Sequence, residues 1–202
     1  LAEPAKNPMP PSIWGYNEEI EPYEYNPEKA EELLAEAGLE DGFEFDLWYL
    51  PVPRPYIPQG KFIGQAIQSY LSEIGVTANL VTYDWSTYLD KTKKREAPTF
   101  MLGWTGDNGD PDNFIYVLLD ESNNRNGYAN DELHEILIEA QKTMDQERRV
   151  ELYEEAQVII HEDAPWVPLV HSTPPIALKN KVQNYVPNPT GTEKLHRVWL
   201  EE

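Results

Sequence analysis

At 202 residues the chain is long enough for one compact core and little more, and with 40% hydrophobic and 26% charged residues it has the make-up of a globular sequence, not a disordered one. Sixteen basic against 36 acidic residues leave a net charge of −20, which repels nucleic-acid phosphates and anionic membranes and argues against both as partners. Cysteine is absent, which excludes disulfides, thiol nucleophiles and thiolate metal sites, and no apolar run reaches the length of a membrane-spanning helix.

The chain starts at Leu1 rather than Met, with no signal peptide ahead of it, and is expected to be processed or cut from something longer. Residues 1–25, rich in Pro, Tyr and Glu, read as an ordered but irregular leading segment. Asn26-Pro27 then opens a helix, Asn as N-cap and Pro at the first helical position. Ala30, Leu33, Leu34 and Ala37 form its apolar stripe, acids such as Glu28, Glu31 and Glu32 its water face, and Gly38 its stop. Phe43 to Leu50 alternates as a strand and runs into the stiff loop Pro51-Val52-Pro53-Arg54-Pro55-Tyr56. A second helix is predicted from about Lys61 to Ile74, stopped by Gly75, and a second strand from Val76 to Tyr83. Asp84 caps a third helix, and Thr99 to Trp104 is a third strand. Asp110-Pro111 opens another helix; two more follow around 131–143 and 146–162. Pro165 to His171 reads as a last buried strand, and the remainder is proline-rich and extended, suited to a sheet completed by chain outside this sequence. Strands alternating with helices predict an α/β lobe with a partly parallel sheet.

The four histidines, His134, His161, His171 and His196, make no metal-ligand pair at helical spacing. No Gly-x-Ser-x-Gly elbow, P-loop or Gly-x-Gly-x-x-Gly is present. The acid-rich run 107–113 is the most unusual stretch. Its spacing departs from an EF-hand, with the glycine misplaced and no Glu at the twelfth position. A pair of carboxylates for sugar hydrolysis stays open as an alternative, though aspartates in tandem on one loop argue for it only weakly. Helix capping accounts for Asp110, and the first helical turn for Asp112. Asp107, just past a strand end and flanked by Gly106 and Gly109, is the best-placed functional carboxylate, because ligand sites in open α/β sheets lie beyond the carboxyl ends of strands. Arg54 is the corresponding cation: set between two prolines on extended backbone, it loses less freedom on gripping a ligand. The plainer reading of Arg54 is a surface ion pair with a nearby Glu.

These residues carry a resemblance. Gly103-Trp104-Thr105-Gly106-Asp107-Asn108-Gly109-Asp110-Pro111-Asp112-Asn113-Phe114 resembles the ligand loop of dipeptide-binding proteins, members of the family 5 extracellular solute-binding proteins alongside oligopeptide and nickel binders. Pro53-Arg54-Pro55-Tyr56 is similar to a second marker of the dipeptide branch. Asn7-Pro8-Met9-Pro10-Pro11, Val81-Thr82-Tyr83-Asp84-Trp85 and Arg149-Val150-Glu151-Leu152-Tyr153 match in support, so the resemblance spans the chain.

The resemblance implies a binding protein rather than an enzyme: a periplasmic-binding-protein-like (type II) α/β lobe with a mixed, mostly parallel sheet flanked by helices. It implies a C-terminal ligand-binding lobe over residues 1–172 and a tail over 173–202 that returns toward an N-terminal lobe of the same protein. The implied partners are a dipeptide or short peptide trapped between the lobes and an ABC permease in the membrane. The implied place is extracytoplasmic, in the periplasm or lipid-anchored at the outer face of the membrane. No cofactor is expected. By position, Asp107 would bind the peptide's N-terminal ammonium and Arg54 its C-terminal carboxylate, with Trp104, Thr105, Gly106 and Tyr56 lining the same pocket. A dipeptide zwitterion separates its charges by at most about 7 Å of extended chain, so a fixed anion and a fixed cation would measure ligand length; allowing for two hydrogen bonds, they should face each other about 8–14 Å apart.

Overall fold

The computed structural model describes residues 2–201; Leu1 and Glu202, the ends of the two expected domain ranges, lie outside the described residues. The site is organised by a three-stranded parallel sheet in the order β3-β2-β4, formed by β2 (Glu44–Trp48), β3 (Thr77–Val81) and β4 (Thr99–Phe100). Register runs from Glu44↔Thr77 to Trp48↔Val81 on one side of β2, and through Leu47↔Thr99 and Trp48↔Phe100 on the other. Parallel neighbours need crossover connections, supplied by α2 (Gly60–Glu73) between β2 and β3 and α3 (Trp85–Lys93) between β3 and β4. Leu47 and Trp48 are consecutive, so they face opposite sides of the sheet. Both are buried, which places protein on each face at the carboxyl end of β2. Leu50, Ile57, Ala78, Tyr88 and Met101 complete this core.

Local chemistry sets the element ends. Asn26 accepts a hydrogen bond from Lys29 N at 2.9 Å and starts α1 (Pro27–Glu36), with proline in its first turn. Gly75 ends α2 at φ +77°, a backbone state that glycine adopts at no steric cost. Asp84 caps α3, accepting from Thr87 N (3.1 Å) and Ser86 Oγ (2.7 Å), and these bonds, the Ser86 one foremost, lower its pKa to about 2.

A second core is helical. It joins α4 (Ile115–Leu119), α5 (Asp131–Lys142) and α6 (Gln146–Asp163) through Leu119, Leu133, Leu137, Leu152 and Ile160. The proline-rich leading segment closes over it with Met9 fully buried. The buried amide of Gln157 ties that segment down, accepting from Asn17 N (3.0 Å) and donating to Gly15 O (2.7 Å). Two arginines join the two cores. Arg125 Nη1 donates to Leu89 O (3.0 Å) and Thr92 Oγ1 (3.1 Å), and Arg95 Nη2 to Glu121 O (3.3 Å) and Asn124 O (3.4 Å).

The structure departs from the sequence reading in several places, among them α1, whose expected apolar stripe buries no residue, with Leu33 exposed, and the leading segment, which contributes a short strand at Ala2–Pro4. β4 stops at Phe100 instead of continuing to Trp104, because after Met101 N bonds Trp48 O (2.8 Å) the Met101 carbonyl accepts from the Tyr88 hydroxyl (2.7 Å). The helix expected at Asp110-Pro111 is a 3-10 turn, Pro111–Asn113, followed by the short α4. The buried strand expected at 165–171 is instead β5 (Val170–Ser172), part-exposed and paired antiparallel with β1 (Ala2–Pro4) outside the parallel sheet. Pro165 and Pro168 deny it the donors that a central strand needs. Farther on, β6 (Val182–Gln183) and β7 (Trp199–Leu200) form an antiparallel pair.

Candidate ligand-binding site

Two loops leave the carboxyl ends of adjacent parallel strands, residues 49–59 after β2 and 101–110 after β4. The first folds on itself: Arg54 N donates to Ile57 O and Ile57 N to Arg54 O, both at 3.1 Å, with Pro55-Tyr56 as the turn and Ile57 buried beneath. Tyr56 projects from that turn against Gly103 of the second loop. A Cβ at Gly103 would stand 2.6 Å from Tyr56 Cγ, so only glycine permits this approach. Burial raises the Tyr56 phenol above its ordinary pKa, opposed by the nearby Arg54 charge.

Arg54 is held by stacking. Its Cζ lies 4.2 Å from the ring centroid of Trp85, the first residue of α3, which follows β3. All three strands of the sheet thus send a segment to this edge. Among the described residues Arg54 joins no ion pair, and its Nε is buried without a hydrogen-bond partner. The surface pairing with a Glu is therefore not what occupies it. A buried donor left unmet costs about 1–3 kcal/mol, a cost that an acceptor supplied from outside would remove.

In the second loop the three aspartates divide by environment. Asp110 accepts from Asp112 N (3.0 Å) and from Arg149 Nη2 (2.8 Å), and Arg149 itself lies over Trp14, Cζ 4.8 Å from the ring centroid. The Asp110 hydrogen bond holds the Arg149 guanidinium above its usual pKa, while burial pushes the adjoining Tyr153 up to about 12. Asp112 Oδ1 accepts from Gln141 Nε2 at 2.7 Å. Both acids are engaged in fixing the loop to α5 and α6. Asp107 is exposed and joins no ion pair among the described residues. Its backbone N donates to Asn113 Oδ1 (2.8 Å), which also accepts from Trp104 Nε1 (3.1 Å). Thr105 is exposed, and Gly106 lies where a Cβ would come within 2.6 Å of Phe114 Cζ.

Tyr56 and Gly103 thus bring the two predicted loops together, with Arg54 on one and Trp104, Thr105, Gly106 and Asp107 on the other. The sequence reading assigned no site role to Trp85, Asn113 or Arg149. The sequence signals for Trp85 were its position, directly after a capping aspartate at a strand's carboxyl end, and its place in the supporting run Val81-Thr82-Tyr83-Asp84-Trp85. The histidines lie elsewhere in the fold: His134 Nδ1 is 2.7 Å from Asp120 Oδ2, His161 stacks on Tyr23, and His171 is half-buried on β5 with its pKa lowered by burial. Among the described residues no three His, Asp or Glu side chains gather as a metal site, and no helix is long and apolar enough to cross a membrane.

Comparison with known proteins agrees with this architecture. Residues 1–126 match the family model of bacterial extracellular solute-binding proteins, family 5, middle region. The chain is 43% identical over 202 residues to the dipeptide-binding protein of Escherichia coli K12, covering 98% of this chain and 38% of that protein. It is 45% identical over 201 residues to heme-binding protein A of Haemophilus influenzae, covering 98% of this chain and 37% of that protein. An ABC transporter-associated periplasmic binding protein from Helicobacter pylori, solved with the peptide STSA, superposes with a TM-score of 0.80 at 36% identity, over all of this chain and 40% of that one. The chain therefore spans well under half the length of the relatives it matches. With the family model covering more than half of its residues, this chain belongs to the bacterial extracellular solute-binding proteins of family 5.

Proposed function

We propose that the chain is the C-terminal ligand-binding lobe of an extracytoplasmic peptide-binding protein that delivers dipeptides or short peptides to an ABC permease. It is a binding component rather than an enzyme. Peptide lies between this lobe and the rest of the protein, its ammonium on Asp107 and its carboxylate on Arg54, about 8–14 Å apart across the sheet edge. Trp104, Thr105, Gly106 and Tyr56 line the space between. The observation that carries this reading is Arg54: a cation stacked on Trp85 and, among the described residues, in no ion pair and with a buried Nε lacking an acceptor. A carboxylate is the acceptor that a guanidinium fork accommodates best, and charge-assisted bonds of this kind contribute about 1.5–3 kcal/mol each. Asp107 supplies the matching anion on the neighbouring loop. The tail over 173–202 returns to the other lobe, in keeping with the exposure of Ile176, Leu178, Val186, Leu195, Trp199 and Leu200.

Calorimetry on the full-length protein tests the assignment with Ala-Ala, a longer peptide, N-acetylated and C-amidated Ala-Ala, hemin and a sugar panel. The expected result is binding of the free dipeptide, weakened by blocking either end and by Asp107→Ala or Arg54→Ala. This lobe alone, with one wall of the pocket missing, should bind weakly or not at all. Unchanged affinity in both variants, or a preference for hemin or sugar, would discard the proposal.

A further inference from the structure

One side chain closes the loop that carries Asp107, and its role deepens the reading above and rests on it. Asn113 Oδ1 accepts from Asp107 N (2.8 Å) and Trp104 Nε1 (3.1 Å), while Asn113 Nδ2 donates to Asp107 Oδ2 (3.4 Å). A primary amide is suited to this task because it offers an acceptor and donors on one planar group. The acceptor half fixes the Asp107 backbone and the Trp104 indole. The donor half addresses one carboxylate oxygen, Oδ2, and leaves Oδ1 for a cation. Asn113 is itself well anchored, as the last residue of the 3-10 turn that Asp110 caps, with Asn113 N donating to Asp110 O at 3.2 Å. Arg149 fixes Asp110 in turn from α6 (2.8 Å), so the aim of the Asp107 carboxylate is referred back to the helical core.

We propose that Asn113 is the positioning residue of the ammonium subsite, orienting both the Asp107 carboxylate and the Trp104 indole toward the ligand's N-terminus. An acid already turned to its task loses less rotamer freedom when the ligand arrives. The plainer role is closure of the loop with no bearing on the carboxylate, and the two predict different ligand selectivity.

Ala-Ala and N-acetyl-Ala-Ala, measured by competition against the full-length protein, report how strongly the free ammonium is preferred. Asn113→Ala is expected to reduce that preference about tenfold, the free dipeptide losing more affinity than the acetylated ligand. Asn113→Asp keeps an acceptor for Asp107 N and Trp104 Nε1 but exchanges the amide donor for a second carboxylate. Two neighbouring carboxylates titrate as a coupled pair with one pKa raised. The ammonium preference of this variant should therefore vary between about pH 5 and 7 more than that of wild type, which has no second carboxylate at this position. Equal losses for both ligands in Asn113→Ala, or a flat profile in Asn113→Asp, would make Asn113 a loop closure and overturn the proposal. Absence of any ammonium preference in wild type would instead remove the peptide reading itself, and this proposal with it.

Discussion

The Arg54 guanidinium lies over the Trp85 indole, its Cζ 4.2 Å from the ring centroid, which joins the loop after β2 to the first residue after the loop of β3. A cation on an aromatic face is worth about 0.5–2 kcal/mol, more as the pair loses water. On the proposed reading, the ring would fix the plane in which the guanidinium fork meets a ligand carboxylate.

Trp85→Leu should therefore weaken binding of a free dipeptide about threefold to thirtyfold, the equilibrium equivalent of that range. The C-amidated dipeptide, which presents no anion to Arg54, should lose much less. Trp85→Phe should fall between the two. Calorimetry on the full-length protein with the two ligands reads the difference; equal losses for both would show that Trp85 shapes the pocket without acting through Arg54.

Tyr88 carries a prediction about stability. It is fully buried, with its hydroxyl 3.0 Å from Trp48 O and 2.7 Å from Met101 O, and burial holds the phenol far above its ordinary pKa. Those carbonyls stand where β2 and β4 give way to the two loops of the candidate site. Tyr88→Phe keeps the ring and leaves both without the hydroxyl, at a cost of about 1–3 kcal/mol. Urea unfolding of the chain and its variant should show the midpoint falling with an unchanged slope. No change in midpoint would mean that water replaces the hydroxyl there.

Most of the lobe was legible because its signals are local. Asn26-Pro27, Asp84, Gly38 and Gly75 each state a helix boundary in one or two residues: Asn26 and Asp84 are the observed N-caps, and Gly38 and Gly75 take positive φ directly after the C-caps Ala37 and Ile74. Asp110 and Asp112 were likewise readable as structural acids from the adjacent proline. What stayed hidden depends on contacts distant in sequence. The end of β4 is decided by Tyr88 on another helix, and the pairing of β5 by β1, which lies about 168 positions earlier, Glu3 against His171. The partner of Arg54 is an aromatic ring 31 positions away, and charge counting points only to acids.

Gly103 makes the spacing of the two candidate-site loops testable. A methyl group there would meet Tyr56 Cγ at only 2.6 Å, so Gly103→Ala must displace the Tyr56 turn or its own loop. Overpacking of this kind costs about 1–3 kcal/mol. The displaced turn carries Arg54, so dipeptide affinity should drop in the full-length protein, and Tyr56→Leu in the same chain should recover stability by vacating the space. A Gly103→Ala variant with wild-type melting temperature and affinity would refute the close contact.

Two groups give the stability of the chain a worked pH dependence. Asp84 is held at about 2 against an ordinary 3.8, so its contribution is present above 3.8 and lost as pH falls through about 2. His134 is shifted the other way: its hydrogen bond to the buried Asp120, at 2.7 Å, is the chief cause raising it above 6.5, with the Asp120, Glu121 and Asp131 charges adding to the shift. A raised histidine stabilises fully below 6.5, and that share disappears as pH climbs through the folded-state value. Urea midpoints measured across the range should therefore fall toward low pH, less steeply in Asp84→Ala between 4 and 2. They should also show a loss above 6.5 that His134→Gln lacks. A wild-type curve that rises through that neutral window, with His134→Gln showing no such rise, would mean that His134 is stabilised in its neutral form and that the Asp120 contact is not an ion pair.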